Sequence, residues 1–398
     1  MRIAIVYRDF WPDNSPYAQM LFKLAKGFAT AGHEISVLTA RPSHNRNHHL
    51  KVPNFEIIEG VRIRRLPLFP EFGRRVFFRF LNTILFALQF AILLLCRRTD
   101  LVMVVSTPPV VNAAIVRYVS FLTGFKYLYH CQDIHPEALR LGGAKINRFV
   151  YDVLLKIDTE NVRNAKVAVV LSEDMKSTLL NRNIEGKNIH VINNFIFEKL
   201  LLQHESQGVD QDRPLRILFA GNLGRFQGLD KILDAAEILK DNSDVEFVFL
   251  GDGIERAALE RRAGNLLGKS VHFLGHQPLQ ATLKEMEISD IGLVSIMPGV
   301  IKVAYPSKTM MYLSVGLPIL ALVEANSSLA DLIIKYDLGY LSDADDVASL
   351  VDTIKTAAQN KAKLRQDKER IQKIAARYFA EEVIIGKWQA LLKSIGNC

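Results

Sequence analysis

Along this chain, short apolar, β-branched runs alternate with stretches of helical periodicity, and the alternation happens twice. In the first half the strand patterns are Arg2–Val6, Glu34–Thr39, Leu101–Ser106, Lys126–Cys131, Lys166–Leu171 and His190–Ile192. Helical patterns sit between most of them, at Tyr17–Ala31, Arg75–Cys96, Val110–Leu122 and Asn147–Asn164. Strands that are apolar on nearly every residue cannot leave a face in water, so they belong in a parallel sheet covered by helices on both sides. The rhythm resumes at Arg216–Ala220, Glu246–Leu250, Val271–Leu274, Ile291–Ile296 and Pro318–Leu322, then ends in two helical stretches, Lys361–Tyr378 and Glu381–Ser394. The expected fold class is α/β, with two Rossmann-like doubly wound sheets in series. Between them, Phe197 to Pro214 turns polar with no strand pattern. That places one domain at about 1–200 and another at 213–379, with residues from about 380 to 398 either capping the second or crossing back to the first.

The length of 398 residues agrees, being too great for one ordinary core. Three cysteines, Cys96, Cys131 and Cys398, lie far apart without CxxC spacing. They exclude a disulfide scaffold and a cysteine zinc site, and they fit a reducing compartment. The N-terminus begins on a strand pattern instead of a basic and apolar leader, so a cytoplasmic chain is expected. A net charge of +8 calls for an anionic partner: nucleic acid, phosphorylated substrate or lipid surface. No nucleic-acid motif or basic–aromatic platform is present, which disfavours the first.

The charge is concentrated locally. Arg62, Arg64, Arg65, Arg74, Arg75, Arg79, Arg97 and Arg98 flank Ile84–Cys96, which is apolar apart from Gln89. This run is shorter than the roughly 20 residues that span a bilayer. A helix lying in the headgroup layer through region 62–98, at the inner face of the membrane, satisfies the pattern. An ordinary helix of an α/β layer with basic ends satisfies it too.

Ligands of open parallel sheets bind beyond the carboxyl ends of the strands, so an interdomain cleft is the expected site and post-strand loops are the place to search. The loop after the first strand carries Arg8, Asp9 and Trp11, with Ser15 and Pro16 positioned to start a helix. It suits a sugar or acceptor contact, or a structural turn around a buried Trp11. The loop from His130 to Glu137 holds two imidazoles and two carboxylates, where a base or hydroxyl-orienting group could sit. Asp133 is the candidate, against a plain capping role. No HExxH or comparable spacing occurs, which disfavours a zinc site.

The second half opens with a glycine-rich turn containing Gly221, Asn222, Gly224, Gln227 and Gly228, whose backbone amides could approach phosphate oxygens. It matches neither the nicotinamide fingerprint nor a P-loop. A tight loop with Asp252 and Gly253 follows the next strand. Later, Lys302 precedes Pro306-Ser307-Lys308, where Ser307 can cap a helix and Lys308 enters its first turn. A lysine there opposes the helix dipole. Its placement is explained by an anion between it and the amides; the alternative is a solvated lysine.

Taken in order, Gly32-His33, Gly221-Asn222-Leu223-Gly224 with Gln227-Gly228-Leu229, Leu250 to Gly253, Ser289 to Leu293, and Pro306-Ser307-Lys308 with Gly316-Leu317-Pro318 resemble glycosyltransferase family 4. They are most similar to its bacterial polysaccharide branch of fucosamine and colanic-acid transferases. The resemblance implies the GT-B fold, with the last helix crossing back to the first domain. It implies retaining, metal-independent transfer from a nucleotide-sugar, UDP sooner than GDP, with N-acetyl-L-fucosamine one donor sugar of the branch. The acceptor would be a saccharide on polyprenyl diphosphate. Asp133, Lys302 and Lys308 would do the catalytic work; Gly221 to Gly228, Asp252, Gly253 and Pro306 to Lys308 would hold the donor; Arg8, Asp9, Trp11, His130 and Asp133 would meet the acceptor.

The chain departs from the family at two places. Many members carry Arg and Lys where Asn222 and Gln227 stand, and two glutamates where Val303 and Met311 stand. Lys308, with Lys302, must then supply the cationic charge. The missing glutamates keep a second reading open, a non-catalytic nucleotide-sugar-binding partner subunit. A sugar-nucleotide epimerase on the same fold is a third.

Overall fold

The computed structural model describes residues 1–13, 15–42, 52–69, 76–196, 213–241 and 244–396. The strands of the first sheet are β1 Arg2–Val6, β2 Glu34–Ala40, β3 Phe55–Ile58, β4 Val61–Leu66, β5 Leu101–Val105, β6 Lys126–His130, β7 Val167–Val170 and β8 Ile189–Val191. Those of the second are β9 Leu215–Ala220, β10 Val245–Leu250, β11 Val271–Gly275, β12 Ile291–Ser295, β13 Ile319–Leu322 and β14 Gly339–Ser342. The spatial orders are β3-β4-β2-β1-β5-β6-β7-β8 and β11-β10-β9-β12-β13-β14. In each sheet the order reverses beside the first strand, β1 or β9, so connections leave in opposite directions and a crevice opens past its carboxyl end.

Both sheets are parallel except at one edge, where β3 runs antiparallel to β4. The sequence pattern did not suggest β3, β4 or β14. In β4 the arginines disguise a strand whose Val61 and Ile63 are buried while Arg62 points outward. β3 and β14 are edge strands, only partly covered, and carry no continuous apolar run. The helical stretch at 361–378 is also broken, at Asp367, into Lys361–Gln366 and Lys368–Phe379.

The chain divides into two compact units, residues 1–140, 144–193 and 385 onward in one, and 141–143 with 194–384 in the other. The polar segment 197–212 lies outside the described residues. From Ile385, the final helix Glu381–Gly396 belongs to the first unit. Its Gln389 donates to the carbonyl of Gly27 at 3.1 Å, and Trp388 packs against Phe28 and His130.

The helix Val76–Leu95 is neither wholly buried nor wholly exposed. Phe86, Ala87, Phe90 and Leu94 are buried, whereas Phe80, Ile84, Leu88, Ile92 and Leu95 are exposed. The exposed set recurs mostly every fourth residue, one stripe along the helix. No helix of the described residues is long and apolar enough to cross a membrane. The cationic flank needs correction: Arg65 is buried and pairs with Glu56 at 2.5 Å, and Arg62 pairs with Glu34. Arg97 and Arg98 are exposed, while Arg74, Arg75 and the Arg79 side chain lie outside the described residues.

In the second unit, the short helix Lys308–Ser314 is pinned to the sheet by Tyr312. Its hydroxyl donates to the carbonyl of Leu218 at 3.1 Å and accepts from the amide of Ala220 at 2.7 Å. The ring lies on Gly292 of β12, where a Cβ would come within 2.5 Å of it. Because Tyr312 and Lys308 are one turn apart, this contact sets where Lys308 sits. Gly292→Ala should therefore cost about 1–3 kcal/mol through overpacking. A lower urea midpoint at unchanged slope is the expected measurement.

Candidate functional site

In the second unit, candidate groups collect beyond the carboxyl ends of β9, β10, β12 and β13. The two glycine loops interlock. Gly251, at φ 138°, approaches so closely that a Cβ would fall 1.9 Å from the carbonyl oxygen of Gly221. A Cβ on Gly253 would fall 2.2 Å from the carbonyl of Leu223. Leu223 donates its amide to the Asp252 carbonyl at 2.9 Å, and the Asp252 carboxylate accepts the Gly253 amide at 2.8 Å. Asp252 thus shapes the loop while its side chain stays exposed.

Lys308 lies against this turn, its Cε 3.4 Å from where a Gly221 Cβ would be. Its stem is partly exposed, but the ammonium is enclosed, 3.8 Å over the Phe219 ring, with no hydrogen-bond acceptor among the described residues. Burial pulls its pKa from 10.5 to about 7. The ring face offsets part of the desolvation, but an enclosed ammonium is stable as a cation only with an anion beside it. The solvated-lysine reading is thereby excluded.

Ser307 does not cap the helix. Its backbone is already helical, φ −57° and ψ −25°, so its hydroxyl does not reach back over the first turn. Lys302 is the exposed end of the turn Val300–Lys302, whose other two residues are buried, and Pro306 is half-buried just before the helix. Asn222 is exposed and its amide folds over Gly224, while Gly228 takes the left-handed φ of 55° that ends the turn. Gln227 is half-buried with its Oε1 unpartnered among the described residues.

One residue here escaped the sequence reading. Glu324, just past β13, accepts the Gly299 amide on Oε1 at 2.8 Å, and its Oε2 is buried without a partner among the described residues. The loops are tied together around it: Met297 donates to the Phe226 carbonyl at 2.7 Å and Ser295 to that of Gln227 at 2.5 Å. Val303 is buried and Met311 packs on the core, so neither supplies polar chemistry. The only sequence signal for Glu324 is an acid directly after an apolar strand.

The acceptor candidates lie in the first unit. Asp133 is held by its backbone, its amide and that of Gln132 both donating to Ser106 Oγ, at 3.2 and 3.1 Å. Its carboxylate caps no helix and has no partner among the described residues, and burial pushes its pKa up to about 6. Burial, then the charges of Asp9, Asp13 and Asp133, push the Tyr7 phenol up, which places these acids around one ring. Trp11 is 38% exposed and stacks on Phe22 at 5.3 Å, so it is not the buried tryptophan of a structural turn. Arg8 anchors that loop by its carbonyl, which accepts from Thr39 Oγ1 at 2.8 Å.

His130 must be removed from the acceptor set. It is 1% exposed, with Nδ1 2.8 Å from the Tyr17 hydroxyl and Nε2 2.8 Å from the Gln132 amide. Burial lowers its pKa to about 3, so it is a neutral core residue beside Trp388. A second group the sequence concealed secures the loop. Arg182 bonds Asp158 at 2.8 Å, Glu137 at 2.5 Å and the His135 carbonyl at 2.8 Å. Asp158 also accepts from Tyr129 at 2.8 Å. No spacing joins Arg182 to Glu137, because tertiary folding alone brings them together. Among the described residues no three His, Cys, Asp or Glu side chains converge as metal ligands.

Residues 17–194 match the family described as Glycosyl transferase 4-like domain, and residues 203–376 match Glycosyl transferases group 1. WbjE of Pseudomonas aeruginosa, described as a glycosyltransferase, is 26% identical over 65% of this chain and 66% of its own, just under two thirds of each. WcaI of Escherichia coli K12, described as a colanic acid biosynthesis glycosyl transferase, is 24% identical over 83% of this chain and 86% of its own. Among solved structures, HepE of Anabaena in complex with UDP-glucose superposes with a TM-score of 0.72 at 15% identity, covering 99% of this chain and 100% of that one.

An anion held beside Lys308 should bind with a pH-dependent affinity. A diphosphate that needs the ammonium should bind progressively more weakly above pH 7, by up to about tenfold per pH unit. Titration calorimetry with a nucleoside diphosphate between pH 6 and 9 reads this slope, and Lys308→Met should flatten it. Stability of the ligand-free protein should run the other way. Enclosing the charged lysine is unfavourable below pH 7, and the penalty is relieved as pH rises from about 7 towards 10.5.

Proposed function

The chain belongs to the family 4 glycosyltransferases of GT-B fold, and from that membership we propose that it moves a sugar from a UDP-sugar to a saccharide held on polyprenyl diphosphate at the inner face of the membrane. The transfer is retaining and needs no metal, and it serves surface polysaccharide biosynthesis, as the description of WcaI suggests. N-acetyl-L-fucosamine is the donor sugar proposed on the family branch. The observation that carries this reading is the enclosed, unpartnered ammonium of Lys308 against the glycine turn.

The donor diphosphate lies on the amides of the Gly221–Gly228 turn with Lys308 beside it. As the bond to the sugar breaks, negative charge grows on the leaving phosphate. A fixed cation and backbone dipoles in an enclosed site stabilise that charge without reorganising, the strategy worth most in such sites. Lys302 contributes from the neighbouring turn. Glu324 Oε2 accepts a hydrogen bond from a donor hydroxyl, doing the carboxylate's work that Val303 and Met311 cannot. In the acceptor half, Asp133 orients the attacking hydroxyl and can receive its proton, since a pKa near 6 leaves it mostly ionised at pH 7. Trp11 offers its exposed face to a sugar ring. The solved complex of HepE with UDP-glucose supports UDP as the carrier. The apolar stripe of Val76–Leu95 supports an acceptor held in lipid.

The loss of the glutamate pair favours the second reading, a donor-binding subunit without turnover. Tight donor binding with neither transfer nor donor hydrolysis would establish that alternative.

UDP at a hundred times its dissociation constant should add about 2.7 kcal/mol of stability, more than GDP or ADP at the same concentration. Lys308→Ala should lower the transfer rate about 100-fold or more. Purified protein that moves no sugar from any UDP- or GDP-sugar to a lipid-linked acceptor would refute the proposal. Glu324→Gln should raise the donor KM by roughly tenfold or more, the loss expected for a hydrogen bond to a charged group.

A further inference from the structure

A cavity of about 460 Å³ opens in the first unit between the β3–β4 hairpin and the helix Val76–Leu95. Asn54, Arg64, Arg65, Gln89, Ile92 and Leu93 are among its lining residues. Its chemistry is divided. One side is cationic: Arg64 is half-buried with no ion-pair or hydrogen-bond partner among the described residues. Arg65 is fully used at its ends, by Glu56 and the carbonyls of Pro53 and Trp11, but its buried Nε is unpartnered among the described residues. Glu56 answers one guanidinium, and a second is left over.

The other side is apolar and continues out of the cavity. Ile92, in its wall, is 59% exposed, and the stripe runs on through Leu88, Ile84 and Phe80. Hydrogen bonds give the direction. Gln89 donates to the Pro67 carbonyl at 2.9 Å, just past the end of β4, and Asn82 bonds both the amide and carbonyl of Phe69 at 2.9 Å. The part of the helix before Gln89 therefore runs past the carboxyl end of β4, with Asn82, Phe86 and Ala87 buried beneath it and the apolar stripe outward. Arg65, beneath the cavity, ties β4 to the loop after β1 by donating to the Trp11 carbonyl at 2.9 Å.

We infer that this cavity holds the phosphate or diphosphate of the lipid-linked acceptor, a refinement that rests on the proposed glycosyl transfer to a prenyl-diphosphate saccharide. The phosphate lies against Arg64, and the prenyl chain follows Ile92, Leu88, Ile84 and Phe80. A half-buried arginine in a walled cavity suits one discrete phosphate group, whereas a diffuse anionic lipid surface would be met by the exposed Arg97 and Arg98. The cavity's size lies within the ordinary range for small-molecule sites.

Farnesyl diphosphate and inorganic diphosphate, titrated into the full-length protein with excess UDP present and again into Lys308→Ala, test this without involving the donor site. Farnesyl diphosphate should bind at least tenfold more tightly than inorganic diphosphate in both proteins. Arg64→Gln should weaken it at least tenfold, and Ile92→Ser should erase its advantage, while UDP stabilises both variants as it does the parent. That last measurement also shows that the variants fold. Equal binding of the two ligands, or no loss in Arg64→Gln, would overturn the inference. So would an Arg64→Gln defect on phosphatidylglycerol vesicles lacking any prenyl diphosphate. Failure of UDP to stabilise the parent would instead count against the donor reading, whatever farnesyl diphosphate does.

Discussion

The second unit of this protein is organised around an enclosed ammonium group that has no partner among the described residues. Lys308 is carried on a helix of a few residues that would scarcely hold its position alone, since short helices gain little from their own hydrogen bonds. Tyr312 supplies the rigidity, with its hydroxyl bonded at two points to the end of β9 and its ring seated on Gly292. The glycine loops depend on close approach: Gly221 and Gly251 leave room for one another, and Gly221 leaves room for the lysine. The unfavourable burial of this charge is what an anion beside it would relieve.

Burial acts in opposite directions in the two halves. It lowers Lys308 to about 7 and raises Asp133 to about 6, so both groups can change protonation near neutral pH. Their surroundings differ from those of the buried charges that serve structure. Arg182 with Glu137 and Asp158, and Asp290 with Arg213 and Arg365, are paired. Pairing marks the charges that hold loops in place, whereas Lys308 and Asp133 have no such partner among the described residues.

The helix Val76–Leu95 shows how one apolar segment can serve two environments. Its buried face packs inward as any helix of an α/β layer must, and its opposite face carries a row of large apolar residues into solvent. The arginines nearby divide in the same way. Arg65 became part of the fold and Arg64 did not. Sequence adjacency hid that difference, because the strand alternation sends neighbouring side chains to opposite faces.

The alternating pattern alone determined the two sheets, most of their strands, and the loops at which candidate residues collect. Continuous β-branched runs have few other stable arrangements, so β1, β5 and β9 were legible, as were the glycine turn and the lysine at 308. The basic strand β4 and the edge strands β3 and β14 were not, because a partly covered edge strand needs no continuous apolar face. Tertiary structure decided which polar residues belong to the core and which to the site. His130 turned inward to Tyr17 and Trp388, Ser307 lost its capping role to a helical backbone, and Glu324 emerged with an open oxygen. A side chain's chemistry is written in its letter, but whether that chemistry is already satisfied depends on partners far away in the chain. Only the folded contacts bring those partners within hydrogen-bond reach.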